Sequence, residues 1–312
     1  PISAWVKFVE TYYPELLPNI STSKSPISMF APTIKTWFAE KESLDPNDIY
    51  VVAITPCTAK KFEIVREELS DAANYLDRES AQDWDRVVTT RELANWMRAR
   101  NLDLDHIEES DYDALMPRGS GAGIIFGNTG GVMEAAIRSA YYFLTKKQPS
   151  DELLKLEAVR GMAGVRKAEL VIQNIPLKVA VSHGTDNARK FLHHLKVNKE
   201  HFDFVEVMTC PGGCISGGGQ TKHIGEDMDV VRKARIQALY DKDSSVALRN
   251  SHDNPHIQEV YKEFYGKPLS DLAEALLHTS YEARQDLNEN PSRYEDMYQK
   301  ETAAKEAAID RK

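Results

Sequence analysis

Cysteine is scarce in this chain, at 3 residues among 312. An odd, low count argues against a disulfide framework. Isolated thiols of this kind suit a reducing compartment or a metal site. Positive charge is in deficit, with 39 Lys and Arg against 48 Asp and Glu, a formal net charge of -9. Phosphate backbones call for a basic surface, so no nucleic acid is expected as a partner. Long apolar runs are missing too. None approaches the roughly 20 residues of a membrane span. No repeat of fixed period is present. The chain lacks an initiating methionine and opens on Pro1. We therefore expect a processed chain, a subunit fragment, or a chain without its N-terminal part. The expected location is cytoplasmic, with the periplasm left open by the missing N-terminus.

What remains is ordinary for a soluble globular protein, 42% hydrophobic and 28% charged. Such a length can bury a large core and form two lobes. Apolar positions at helical spacing predict a helix over 4–13. Ser25 before Pro26 predicts a cap and first turn for a helix running to about Glu40. The β-branched run Asp48–Ile54 predicts a buried strand, and 86–90 another. Thr90 is expected to cap a helix Arg91–Arg100. Further strands are expected at Leu156–Arg160, Glu169–Ile172, Leu177–Gly184 and Phe204–Met208. Ser120–Glu134 is a glycine-rich loop opening a helix of about 132–146. Other helices are expected at 185–195, 226–241 and 254–278. Alternation of strands and helices predicts an α/β fold with parallel sheets. We expect one lobe over 1–160, a second over 161–280, and a polar helical extension over 281–312.

The three cysteines fall in two segments, Thr55-Pro-Cys57-Thr-Ala-Lys60-Lys61-Phe-Glu63 and Cys210-Pro-Gly-Gly-Cys214. Both follow predicted strands, and ligands bind at strand carboxyl ends in α/β sheets. The C-x₃-C spacing alone is compatible with structural, reactive or zinc-binding thiols. Zinc more often shows C-x₂-C pairs, although His223 lies downstream. The run Gly217-Gly-Gly-Gln220 adds weight to an iron–sulfur cluster, because glycines let amides approach a negatively charged group. A thiolate-held cluster normally takes four cysteines. Lys60, three residues beyond Cys57, reads equally as a cation turned back toward the same site, where it would stabilise thiolate, and as a solvated surface residue. Lys61 reads as a solvated surface residue.

These segments resemble the second and third signatures of the [FeFe]-hydrogenases. The resemblance extends to Tyr-Tyr-Pro-Glu-Leu-Leu at 12–17, Ser-Lys-Ser-Pro at 23–26 and Thr-Thr-Arg-Glu-Leu at 89–93. It also covers 120–134, Ser-His-Asp-Asn-Pro at 251–255 and Leu-Leu-His-Thr at 276–279. It implies an H-cluster in a cleft between two lobes: a [4Fe–4S] cluster joined through a cysteine sulfur to a di-iron subsite. The di-iron subsite carries CO, cyanide and azadithiolate ligands. Matching positions make Cys57, Cys210 and Cys214 the cluster ligands, with Cys214 as the bridge. Lys60 would donate to a cyanide. Ser25 and Pro56 would line the pocket, and Met208, Phe126 and Gly127 would pack around the di-iron. Ser21 matches a serine on the family's proton route. The implied reaction is 2H⁺ + 2e⁻ ⇌ H₂. The implied partners are H₂, protons, ferredoxin or another electron-carrier subunit, and hydrogenase maturation factors.

The family's first signature, expected before Trp5, would supply the fourth ligand and a proton-relaying cysteine. Here the chain begins Pro1-Ile-Ser-Ala-Trp5, so we expect those parts upstream or on another chain. Thr55, Ile27 and Thr221 replace a methionine, a glutamine and a proline common in the family. These departures are compatible with a sensory or low-activity hydrogenase. A related class without the di-iron subsite, the cytosolic iron–sulfur assembly factors, is the non-enzyme alternative.

Overall fold

Val52–Thr55 (β1) lies parallel to Arg86–Thr89 (β2), with Val52 paired to Arg86 and Thr55 to Thr89. The computed structural model describes residues 3–78, 81–113, 115–222 and 225–284. Within them the chain divides into two compact units. One is drawn from Pro1–Ile107 and Val260–Lys312, the other from Glu108–Glu259. The division thus differs from lobes split near residue 160. The C-terminal segment returns to the first unit, because Lys24 and Thr279 exchange backbone hydrogen bonds with Leu277 and Thr22. Such long-range pairing leaves no mark in local sequence pattern. Most of the proposed extension 281–312 lies outside the described residues, as does His223.

In the first unit, β1 is buried on one face only. Ala53 is buried while Val52 and Ile54 are exposed, so the strand is half-buried rather than fully buried. Its inner face packs with Ala31, Ile64, Val65, Trp84 and Val87. Ser25 caps the helix Pro26–Thr33 as expected, accepting from the Ser28 N–H. The helix continues to Lys41 through a π-helical turn, Ile34–Phe38. The cap of the helix Thr90–Ala99 is Thr89, one residue earlier than expected. Thr89 and Glu92 close a capping box there, so the third helical residue decides the start. Residues 254–278 are not one helix. Pro255–Val260 and the π turn Tyr261–Tyr265 end at Gly266, whose φ of +77° breaks the ladder before Asp271–Leu277.

The second unit holds a three-stranded sheet of Val165–Ile172 (β3), Ile175–His183 (β4) and Phe204–Met208 (β5), in the order β3-β4-β5. β4 and β5 are parallel, but β3 and β4 form an antiparallel hairpin. The turn residues Gln173 and Asn174 have φ of 49° and 66°, the left-handed pair that a two-residue hairpin turn requires. The expected strand Leu156–Arg160 is instead two 3-10 turns, Leu153–Lys155 and Glu157–Val159. Segment 120–131 is not all loop, since Ser120 caps a short helix Gly121–Ile125. Helices Gly131–Thr145, Thr185–Asn198 and Met228–Ser245 complete the unit. Met133 and Ile137 pack on Ile172, Val179 and Val181 to form its core. No helix among the described residues is long and apolar enough to cross a membrane.

Candidate metal centre

β5 ends at Met208, which is fully buried, and Cys210 follows two residues later. The Cys210–Cys214 turn closes on itself through Gly213 N–H to Cys210 O at 3.0 Å. Gly212 and Gly213 have φ of +77° and +101°, conformations that disfavour any side chain. A Cβ on Gly213 would stand 2.7 Å from Thr129 N and 2.8 Å from the Asn128 carbonyl carbon. Those neighbours are backbone and cannot swing aside. The turn docks on the glycine-rich segment. Thr129 N–H donates to Gly212 O and Ile215 N–H donates to Gly127 O, both at 3.0 Å. Phe126, Gly127, Met208, Cys210 and Cys214 are thereby gathered in one unit. The glycines permit close backbone approach here, while the Gly213 and Gly217 amides bond to Cys210 O and Cys214 O.

Behind this loop, Glu206 of β5 accepts from Gly130 N–H and Met133 N–H, both at 2.7 Å. Burial pushes its carboxyl up to about 7, against the pull of those amides and of Arg166. Arg166 donates to Val159 O and Thr129 Oγ1 at 2.9 and 3.1 Å. The glycine-rich segment is therefore anchored by side chains from two strands.

Cys57 lies in the first unit, just past β1, with its N–H donating to Thr55 Oγ1 at 3.3 Å. Pro56 beside it is half-buried. Lys60 opens the short helix Lys60–Glu63 and is buried. Its ammonium donates to both Glu63 oxygens at 2.8 and 2.7 Å. Glu63 also accepts from Ser25 and Ser28 at 2.5 Å and from Ser3. A small pocket lined by Ser3, Lys24, Ser25, Glu63, Arg66 and Tyr281 adjoins this group. Lys61 is half exposed and pairs with Glu92 at 2.5 Å, in line with a surface role. Ser21 is exposed. Its hydroxyl accepts from Ser23 N–H at 3.3 Å, and its carbonyl accepts from Tyr281 Oη at 2.8 Å. In this structure it stabilises a turn.

Glu63 and His183 were not singled out by sequence reasoning. The i, i+3 spacing of Lys60 and Glu63 was a usable signal for the first. For the second no local signal exists, since its partner lies 29 residues away.

Burial alone would raise the Glu63 carboxyl. The charge and hydrogen bonds of Lys60, with Ser25 and Ser28, outweigh it and hold the group at about 2, against 4.5 for an ordinary glutamate. A depressed carboxylate contributes stability above the unfolded value and loses it as pH falls through the folded one. The contribution is on the order of 3 kcal/mol. The difference in unfolding midpoint between the wild type and Glu63→Gln is therefore expected to be constant above pH 5. It should shrink between pH 4.5 and 2. A difference that does not change with pH over that interval would refute the ionised carboxylate.

Cys57, Cys210 and Cys214 form no disulfide and are half-buried. Among the described residues, no three His, Cys, Asp or Glu side chains stand together for a single metal ion. In a four-iron cluster each thiolate binds its own iron. Two thiols at the ends of one rigid turn fit such a cluster.

Residues 3–218 match the family model for the iron only hydrogenase large subunit, C-terminal domain, and 229–284 match that for the iron hydrogenase small subunit. The NADP-reducing hydrogenase subunit HndD of Solidesulfovibrio fructosivorans is 44% identical over 91% of this chain and 46% of its own length. Iron hydrogenase 1 of Clostridium pasteurianum is 39% identical over 89% of this chain and 47% of its own. The chain thus spans about half the length of these relatives. Cytosolic iron-sulfur assembly component 3 of Bos taurus is 28% identical over 89% of the chain and 57% of its own length. Among solved structures, [FeFe]-hydrogenase HydA1 from Chlamydomonas reinhardtii superposes with a TM-score of 0.75 at 34% identity. That match covers 90% of this chain and 75% of the other. With its cysteine turn, its glycine-rich support and these matches, the chain belongs to the [FeFe]-hydrogenase family and carries the C-terminal domain of the iron-only hydrogenase large subunit.

Proposed function

We propose that this domain catalyses 2H⁺ + 2e⁻ ⇌ H₂ as the catalytic part of a hydrogenase. The observation that carries this reading is the buried Lys60 ammonium three residues beyond Cys57, held by Glu63 and its serines. Burying a charge pair is expensive, and thiolate ligation of a cubane does not require one. A positioned cation beside a cluster suits anionic ligands such as cyanide. Glu63 takes two of the three Lys60 donors, and the ammonium has a third to offer.

Cys57, Cys210 and Cys214 would hold the [4Fe–4S] cluster, with Cys214 bridging to the di-iron subsite. When bound, the di-iron subsite with CO, cyanide and azadithiolate supplies an open iron and an adjacent base for joining protons and electrons. The protein's own share is to orient and shield. Pro56 and Ser25 would line the di-iron group, and Met208, Phe126 and Gly127 would pack around it and exclude water. Besides supporting its turn, Ser21 would stand on the proton route to that group. Electrons come from ferredoxin or another electron-carrier subunit, and maturation factors load the di-iron group. Thr55, Ile27 and Thr221 would alter the surroundings of the cluster, which is compatible with the alternative of slow, sensory turnover. A cytoplasmic location accords with three unbridged thiols.

The test is infrared spectroscopy of the matured protein alongside an H₂ assay. CO and cyanide bands with turnover in both directions are the expected result. A cubane without those bands would refute the hydrogenase reading in favour of an assembly-factor role. Turnover matching active hydrogenases would refute the sensory part.

A further inference from the structure

His183 has no part in the roles assigned above. It ends β4 opposite Met208 in the parallel register, and it is 4% exposed. Its backbone is fixed from several sides. Its N–H donates to Gly164 O at 3.0 Å, and its carbonyl accepts from Asn187 Nδ2 at 2.8 Å. The next residue, Gly184, donates to Met208 O at 2.8 Å. The ring is therefore presented from a rigid strand end.

The imidazole reaches the cysteine turn. Nδ1 accepts the Gly212 N–H at 3.1 Å, and Nε2 lies 3.2 Å from Met162 O. A carbonyl only accepts, so Nε2 carries the proton and Nδ1 offers its lone pair. Burial, with Arg166 and Arg232 nearby, keeps the ring below its ordinary protonation range, which preserves that lone pair. Gly212 lies between Cys210 and Cys214. Its carbonyl is taken by Thr129 and its N–H by His183.

Hydrogen bonds to cluster sulfurs are one of the levers that set reduction potential. A donor aimed at sulfur stabilises the added electron and raises the potential. We infer that His183 is a positioning residue that withholds the Gly212 amide from the sulfurs of the cluster and so keeps its reduction potential low. This rests on the proposed role of Cys210 and Cys214 as cluster ligands.

The test compares His183→Leu, which fills the buried volume without an acceptor, with His183→Asn, which keeps a carbonyl acceptor. Full-length protein is reconstituted anaerobically with iron and sulfide, without maturation factors. The relevant cubane is identified as the paramagnetic resonance signal lost in Cys210→Ala. Its midpoint potential is read by redox titration, so no hydrogen turnover enters the measurement. His183→Leu is expected to move the midpoint to more positive potential, and His183→Asn to keep it near wild type. An unmoved midpoint in His183→Leu overturns the inference, as does an equal shift in both variants. If His183→Leu takes up no cluster, a wild-type midpoint and signal shape in His183→Asn support the inference, and a shifted midpoint overturns it. A wild type that takes up no cubane overturns the functional reading together with this inference. That result is distinct from a loaded protein whose midpoint does not respond.

Discussion

Under the proposed function, hydrogen evolution and uptake are expected to fall to background in Cys214→Ala, and the protein is expected to lose its di-iron infrared bands together with iron. Cys214 sits at the end of a turn whose form is dictated by Gly212 and Gly213 and by docking on Gly127 and Thr129. The apo fold does not depend on its sulfur for burial, since the residue is half-buried. Apo Cys214→Ala is therefore expected to unfold at the same temperature as apo wild type, while the loaded forms differ. Ligand binding to the native state stabilises by mass action, so the loaded wild type gains a midpoint shift that the variant lacks. Iron analysis and thermal melts of both forms check this. Wild-type iron content with normal turnover in Cys214→Ala would show that the thiol is not a ligand. A lower apo midpoint would show that the thiol is structural.

The second large effect lies away from the cysteines. Arg138, Glu134 and Asp243 have fully buried side chains. Arg138 grips Asp243 with two bonds of 3.0 and 2.8 Å and reaches Glu134 at 2.6 Å. Arg249 adds a bond of 2.6 Å to Asp243, and Arg160 one of 2.6 Å to Glu134. Removing one member of a buried ion pair costs about 3–5 kcal/mol, because the partner charge stays buried without compensation. Asp243→Ala is expected to lower the unfolding midpoint of its unit by roughly 6–20 °C. The damage should extend toward the cysteine turn. Asp243 belongs to the helix Met228–Ser245, whose Ile236, Leu239 and Tyr240 pack against Ile215 and Ile125. Calorimetry checks it, and a midpoint within about 1 °C of wild type would refute a charge-locked core. Asp243→Asn, which keeps the hydrogen-bonding shape, is expected to lose less.

Much of the local structure was readable in the residues. β5 runs Phe204–Met208 as expected, and Ser25-Pro26 begins a helix. Both are short-range matters of β-branching and capping. The expected strand at Leu156–Arg160 failed because a brief apolar run looks alike in a strand and in tight turns. The antiparallel direction of β3 comes from two left-handed residues, Gln173 and Asn174, at a turn that carries no glycine to announce it. The C-terminal return into the first unit was hidden for a different reason: it depends on partners some 250 residues apart.

Residue chemistry alone pointed to three thiols as candidate donors, to the glycines between Cys210 and Cys214, and to a resemblance to one family. Those depend on side-chain type and on steric rules that act within a few residues. Folding in three dimensions chose what each group faces. Lys60 faces Glu63 and the serines, Glu206 faces the amides of Gly130 and Met133, and His183 takes the Gly212 amide. Hydrogen bonds form over about 3 Å. The partners of Glu206 and His183 are set by strand register and loop docking, which bring together residues distant in the chain.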